Sequence, residues 1–266
     1  MAWVTEGHEG MTTGTEQLYR EKGDTWPKVL KYNYEKYGDA HRAMRHKYYG
    51  IWQPYTWKDY YLHAKLLGLG LLSLGFEPGD RLLIVGDNTP EWYHAELAAQ
   101  ADHGVSVGAF SELTPAETKT IAENSEARFA MVQDQEQVDK FLQIKDALPL
   151  LKKIIYWNYK GLAHYDDPGL IGYKEVLELG KKYEAEHPGL FERNVETGKA
   201  DEATSLTVYR GEVYCTSLHR RGAFRYEGGS NWKYIGPNER LFSFTIYQGR
   251  LYALVNGGSI YRYEGG

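Results

Sequence analysis

The sequence predicts an α/β fold: a mostly parallel, doubly wound sheet with an N-terminal hairpin, followed by an all-β tail of under two propeller-like blades. Three observations carry that reading. Short apolar runs without polar alternation, residues 82–85 and Phe129–Val132 foremost, suit strands buried on both faces. Segments with helical apolar spacing alternate with these runs, the pattern of βαβ units joined by right-handed crossovers. After residue 200 the helical spacing stops, and a segment of about forty residues repeats.

The elements follow in order. Residues 1–23 are expected as a mobile arm, small and polar, with Gly7, Gly10 and Gly14. Thr25-Trp26-Pro27 opens a helix in which Trp26, Val29, Leu30, Tyr34 and Tyr37 share a face, and Gly38 stops it. Residues 41–48 and 51–56 read as two strands about Tyr49-Gly50, a hairpin. Thr56 caps a long helix with Tyr60, Ala64, Leu67, Leu71 and Leu74 as its buried stripe and Gly75 at its end.

Residues 81–110 form the centre of the α/β part. The strand at 82–85 breaks at Gly86-Asp87-Asn88. Asn88 or Thr89 caps the next helix, and Pro90 suits its first turn, where a missing N–H is no loss. Trp92, Ala95, Ala98 and Ala99 fall at helical spacing, Gly104 ends the helix, and residues 105–107 begin a further buried strand. Thr114-Pro115-Ala116-Glu117 combines a cap, a first-turn proline and an early acid. After the strand Phe129–Val132, Asp134 caps a helix running to about Leu148; residues 153–157 are a strand and 173–184 a helix, ended before His187-Pro188-Gly189.

A polar stretch at 197–203 marks a boundary, so residues 24–202 form the α/β region and 203–266 the tail. Residues 201–266 carry a charge of +2, against −7 for residues 1–200. Residues 205–229 (SLTVYRGEVYCTSLHRRGAFRYEGG) and 243–266 (SFTIYQGRLYALVNGGSIYRYEGG) are copies of one another. Each reads as three strands, with turns at Gly211 or Gly249 and at Gly222 or Gly257-Gly258, and the link 230–236 reads as a fourth. Four strands per repeat is the pattern of a propeller blade, and a propeller closes with about four to eight of them.

Composition narrows the function. A net charge of −5 in 266 residues argues against a nucleic-acid partner. The single cysteine, Cys215, excludes an internal disulfide and a cysteine metal cluster, and fits a cytoplasmic setting. The first thirty or so residues carry no signal-peptide pattern, and no apolar run approaches a membrane span.

The candidate sites each meet a plainer explanation. Gly68, Gly70 and Gly75 suggest a phosphate loop, yet they lie inside a helix, follow no strand and lack the GxGxxG spacing, so helix packing accounts for them. Gly86-Asp87-Asn88 does join a strand to a helix, where free N–H groups hold anions, but Asp87 repels phosphate and the stretch reads as a turn. His94 and His103 are nine apart, not the three or four of metal ligands on one helical face. Asp166-Asp167-Pro168 is a turn initiator rather than a metal dyad. Cys215 sits in a strand alternation with no base beside it and reads as an inert buried thiol. Arg220-Arg221 reads as a solvated turn, with anion binding as the alternative. Trp232 and the tail tyrosines read as blade core, with Tyr234 as a candidate for an aromatic rim. Catalytic, cofactor-binding and metal residues are therefore expected to be none.

Residues 24–202 resemble the N-terminal portion of adenylate-forming enzymes, in particular bacterial long-chain acyl-CoA synthetases. The stretches that carry the likeness are GIWQPYTW (50–57), LGLGLLSLGFEPGDRLLIVGDNTPEWYHAELAAQADHGVSVG (67–108), SEARFAMVQDQEQVDKFLQIKD (125–146), LKKIIYWNYKGLAHYDDPGLIGYKEVLELG (151–180) and HPGLFERN (187–194). The resemblance implies the family's fold for this part and a parent reaction in which ATP and Mg²⁺ adenylate a fatty acid that then passes to coenzyme A. After a stretch like Lys199-Ala200-Asp201, the family runs into a Ser/Thr/Gly-rich phosphate loop with a lysine; here Ala203-Thr204-Ser205-Leu206-Thr207-Val208 follows, and the later motifs are not found. No family residue role carries over, no cofactor is predicted for the chain, and a truncated relative without adenylation activity is expected. The tail resembles Kelch-like propeller repeats. The alternative expectation is a scaffold that self-associates through open strand edges.

Overall fold

The computed structural model describes residues 3–6, 25–198, 203–210, 212–217, 222–228, 231–237, 241–247, 250–255 and 260–264. They divide into two compact units: Trp26–Gly198, and one in which a strand near the N-terminus joins the strands after residue 199. Among them, no helix is long and apolar enough to cross a membrane. Arg220 and Arg221 lie outside the described residues.

In chain order the elements are β1 (Trp3–Glu6), α1 (Trp26–Tyr37), β2 (Arg42–Tyr48), β3 (Ile51–Thr56), α2 (Trp57–Ser73), β4 (Arg81–Val85), α3 (Pro90–Ala101), β5 (Val105–Ala109), α4 (Pro115–Asn124), β6 (Phe129–Val132), α5 (Gln135–Ile144), β7 (Lys153–Tyr156), β8 (Leu170–Gly172), α6 (Tyr173–Glu186) and α7 (Leu190–Thr197). The tail strands are β9 (Ala203–Tyr209), β10 (Glu212–Ser217), β11 (Gly222–Gly228), β12 (Asn231–Gly236), β13 (Leu241–Tyr247), β14 (Arg250–Val255) and β15 (Ile260–Tyr263).

The α/β unit is built on a five-stranded parallel sheet of order β5-β4-β6-β7-β8. Alternate strand residues serve opposite faces. Leu82, Ile84, Phe129, Met131 and Ile155 pack with Leu67, Leu71, Ala95, Ala98 and Val176. Leu83, Val85, Ala130, Val132 and Ile154 pack with Ala122, Val138, Phe141 and Ile144 on the other side. Both faces being covered is why β4 and β6 read as unbroken apolar runs. β5 differs: it lies at the sheet edge, Val105 is exposed, and the buried strand expected there is only partly covered.

The helix starts are set by side chains. The Thr56 hydroxyl accepts from Asp59 N while an Asp59 carboxylate oxygen accepts from Thr56 N at 2.8 Å. Thr114 and Glu117 form the same reciprocal box. Asp134 caps α5, which stops at Ile144 and continues as a 3₁₀ turn, Lys145–Ala147. β8 and α7 have no counterpart in the sequence reading. Gly70 and Gly180 let α2 and α6 approach closely: a Cβ on Gly180 would overlap the Leu66 carbonyl oxygen, and one on Gly70 the Val176 carbonyl oxygen. That packing role is the one expected for Gly68 and Gly70; Gly75 lies beyond the helix end at a φ of +85°, where it terminates α2 rather than packing inside it.

The tail strands form two four-stranded antiparallel sheets, of order β12-β11-β10-β9 and β1-β15-β14-β13. The second is completed by Trp3–Glu6, which pairs with β15. Within the segment 1–23, expected as a mobile arm, residues 3–6 are thus a paired strand, while residues 7–23 lie outside the described residues. Cys215 is buried, as expected.

Candidate functional site

The parallel sheet fixes where a ligand would sit. β4 leads outward to β5 through α3 on one face; the chain then returns through α4 on the other face to place β6 on the opposite side of β4. Strand order reverses there, and open α/β sheets bind ligands in the crevice beyond the carboxyl ends of strands at such a point. A cleft of about 690 Å³ lies at those ends. The β4–α3 turn supplies Asp87, Asn88, Thr89 and Glu91. Gln133 follows β6, residues Trp157, Asn158, Tyr159 and Lys160 follow β7, and Lys174 comes from the start of α6. The β2–β3 hairpin closes one side with His46, Tyr48, Gln53 and Tyr55.

Backbone bonds hold the three strand ends together. Gln133 N donates to Val85 O at 3.0 Å, Asn158 N to Gln133 O at 2.8 Å, and Asp87 N to the Gln133 side-chain oxygen at 2.6 Å. Gly86 is required between them, since a Cβ there would lie 2.7 Å from both Gln133 Cβ and the Trp157 ring. Tyr159 Oη accepts from Lys174 N and donates to Glu175, both at 2.8 Å, which fixes the aromatic wall. Burial, followed by the negative charges of Glu91 and Asp59, pushes the Tyr55 phenol above its ordinary range and keeps it protonated.

Thr89 occupies the cap position of α3, yet its hydroxyl makes no capping bond. Its Oγ1 is buried and has no hydrogen-bond partner among the described residues, although Thr89 lines the cleft. The arrangement is one for binding. Aromatic rings and amides dominate the lining, Asp87 and Glu91 balance Lys160 and Lys174, and no serine or cysteine among the described residues faces it. A nucleoside triphosphate does not fit here: Asp87 and Glu91 flank the α3 N-terminus, whose N–H groups would otherwise receive phosphate. Among the described residues, no cluster of three or more His, Cys, Asp or Glu side chains forms a metal site.

The sequence-derived candidates separate. Asp87 and Asn88 reach the cleft. His94 is buried, its Nδ1 2.9 Å from Tyr173 Oη and its ring stacked on His63 at 4.8 Å. His103 is exposed and bonds the Asn194 carbonyl at 2.8 Å. Asp167 makes its turn by accepting from Gly169 N at 2.8 Å and pairs with Lys145. Trp157, Tyr159 and Lys160, after β7, and Lys174, at the start of α6, escaped the sequence reading because only the strand order brings these segments beside the β4–α3 turn; a polar and aromatic cluster directly after an apolar strand was the one local signal for the first three.

Comparison with known proteins adds the family. Residues 31–173, which hold nearly all of the cleft, match the model of the family described as AMP-binding enzyme. The long-chain-fatty-acid–CoA ligase ACSBG2 of Xenopus laevis is 34% identical over 146 residues, 55% of this chain and 19% of that protein. The ligase ACSBG1 of Bos taurus is 27% identical over 180 residues, 68% of this chain and 24% of that one. The chain thus spans about a fifth to a quarter of the length of these relatives. Coronafacic acid ligase from Pectobacterium brasiliense shares the fold with a TM-score of 0.51 at 16% identity, covering 57% of this chain and 29% of that one. The chain belongs to the AMP-binding enzyme family.

Proposed function

We propose that this chain is a relative of the fatty acid–CoA ligases that does not adenylate a fatty acid by itself, and that its α/β unit keeps the cleft as a binding site. The observation that carries this is the sequence after the last helix of the α/β unit: antiparallel strands begin at Ala203, where the family's phosphate loop is expected. Adenylation needs donors and a cation aimed at the transferring phosphates. In this reading a bacterial source, a cytoplasmic location and a Kelch-like, propeller-like character of the tail belong together. A binding or scaffolding role is the second reading, favoured by the two four-stranded antiparallel sheets. Titration calorimetry of the full chain with ATP and Mg²⁺ tests the first. No saturable heat is expected; saturable binding in the micromolar range overturns it.

A further inference from the structure

The β2–β3 hairpin has two unlike faces. Residues paired across a ladder share a face, and neighbours along a strand alternate between faces. His46 pairs with Gln53 and Met44 with Tyr55, and His46, Tyr48, Gln53 and Tyr55 line the cleft. The face turned away from the cleft therefore carries Arg45 opposite Pro54 and Lys47 opposite Trp52. All four are exposed. The Arg45 guanidinium lies 4.3 Å from the centre of the Trp52 ring and the Lys47 ammonium 5.8 Å from it. Lys58, just after the hairpin, is paired with Asp39, but Arg42, Arg45 and Lys47 have no carboxylate partner among the described residues. Residues 40–58 hold no acidic side chain, although residues 1–200 together carry −7.

The tip of the hairpin is apolar where a turn is ordinarily polar. Tyr48 and Ile51 close the ladder, with Tyr49 at a φ of +46° and Gly50 at +80° between them, both left-handed. Two-residue hairpin turns with positive φ favour Asn, Asp or Gly, and a bulky residue there is strained. Tyr49 accepts that strain and buries little in return. It is 81% exposed, and its ring meets that of Tyr48 edge to face at 4.5 Å. Ile51 is 65% exposed and Trp52 51%. A strained aromatic turn beside a cluster of unpaired cations serves no packing purpose within the fold and points to an external, anionic partner.

We propose that the hairpin docks on an anionic lipid bilayer, with Tyr49 and Ile51 in the interfacial layer and Arg42, Arg45 and Lys47 against the headgroups. Tyrosine and tryptophan rings favour the boundary between headgroups and acyl chains, and basic side chains beside them are drawn to a negative surface. An acidic protein suits the hairpin less, because a stable interface takes about 800 Å² from each partner and this tip offers only a few side chains. A single-stranded nucleic acid suits it less as well, because bases stack on uncovered rings and Arg45 already covers Trp52. The cleft lies on the other face of the same hairpin, so docking holds the cleft mouth at the bilayer surface. The proposal stands apart from the reading of the chain as inactive in adenylation.

Co-sedimentation of the full chain with vesicles tests it. Vesicles of phosphatidylcholine with about a third phosphatidylserine should bind the chain, and pure phosphatidylcholine should bind it about a hundredfold more weakly, since each of the three cations near the surface contributes about fivefold. Salt at about 1 M, which cuts the screening length to about 3 Å, should release it. Arg45→Gln combined with Lys47→Gln should weaken binding about 25-fold. The same charge change on exposed residues of α6, Lys181→Gln with Lys182→Gln, should leave it unchanged. Tyr49→Asn suits the left-handed turn, so it should weaken vesicle binding without lowering the urea midpoint. That variant carries the test if far-UV circular dichroism shows the double variant to be misfolded. No binding to either vesicle, equal binding to both, or a double variant that binds as the wild type does overturns the proposal. So does tighter binding of labelled oligouridylate or polyglutamate than of the anionic vesicles, lost in the double variant, which assigns the face to a nucleic acid or to an acidic protein.

Discussion

Replacing Asp102 with asparagine should stabilise the α/β unit at neutral and alkaline pH. Asp102 is 2% exposed at the end of α3, where the helix dipole is negative and a carboxylate is least welcome. Oδ1 accepts from the Asn194 side-chain amide at 3.0 Å, while Oδ2 has no partner among the described residues. Gly68 leaves the room for it, since a Cβ on Gly68 would lie 2.7 Å from Oδ2. Burial pushes the carboxyl up from 3.8 to about 7, with the Asn194 bond pulling the other way. A carboxyl whose pKa is raised on folding contributes stability that is fully present below its unfolded value and is lost as pH rises through the folded one. Across that window, from about 4 to about 7, the wild type loses up to about 4 kcal/mol that the neutral amide does not lose. Urea unfolding followed by far-UV circular dichroism at a series of pH values reads the difference. The gap between Asp102→Asn and wild type should be near zero around pH 4 and widen to about 2–4 kcal/mol by pH 8. A gap that does not change with pH refutes the reasoning.

Other substitutions test packing, capping and the cleft. Gly180→Val drives a side chain into the Leu66 carbonyl and should cost about 2–3 kcal/mol by urea unfolding; a neutral result would mean that α2 and α6 do not cross closely. Thr114→Ala removes one half of a capping box and should cost about 1 kcal/mol, and an unchanged midpoint would remove the cap from the account. Thr89→Val removes a buried hydroxyl that lacks a partner and should raise stability by about 1 kcal/mol in the absence of ligand; destabilisation would show that the hydroxyl is satisfied.

Much of the α/β unit was legible because its signals are local. The capping residues Thr56, Thr114 and Asp134, the glycine stops, and the two-sided apolar strands each announce themselves within a few residues. β5 was overread because an apolar run carries no mark of whether a neighbouring strand covers it. The cleft was mostly hidden, since strand order decides which turns meet, and strand order is not written in any one turn. β1 was missed because its partner lies some 260 residues away. A trace of it does exist: Trp3 precedes Gly7 by the same interval as Trp232 precedes Gly236, and both tryptophans pair with equivalent tyrosines. The tail's repeat revealed the strands of each sheet.

The most direct test of the central claim is mass-spectrometric detection of palmitoyl-AMP, with pyrophosphate measured in parallel, after incubating the purified full chain with ATP, Mg²⁺ and palmitate. The account predicts neither product above a protein-free control; palmitate-dependent release of both would contradict it.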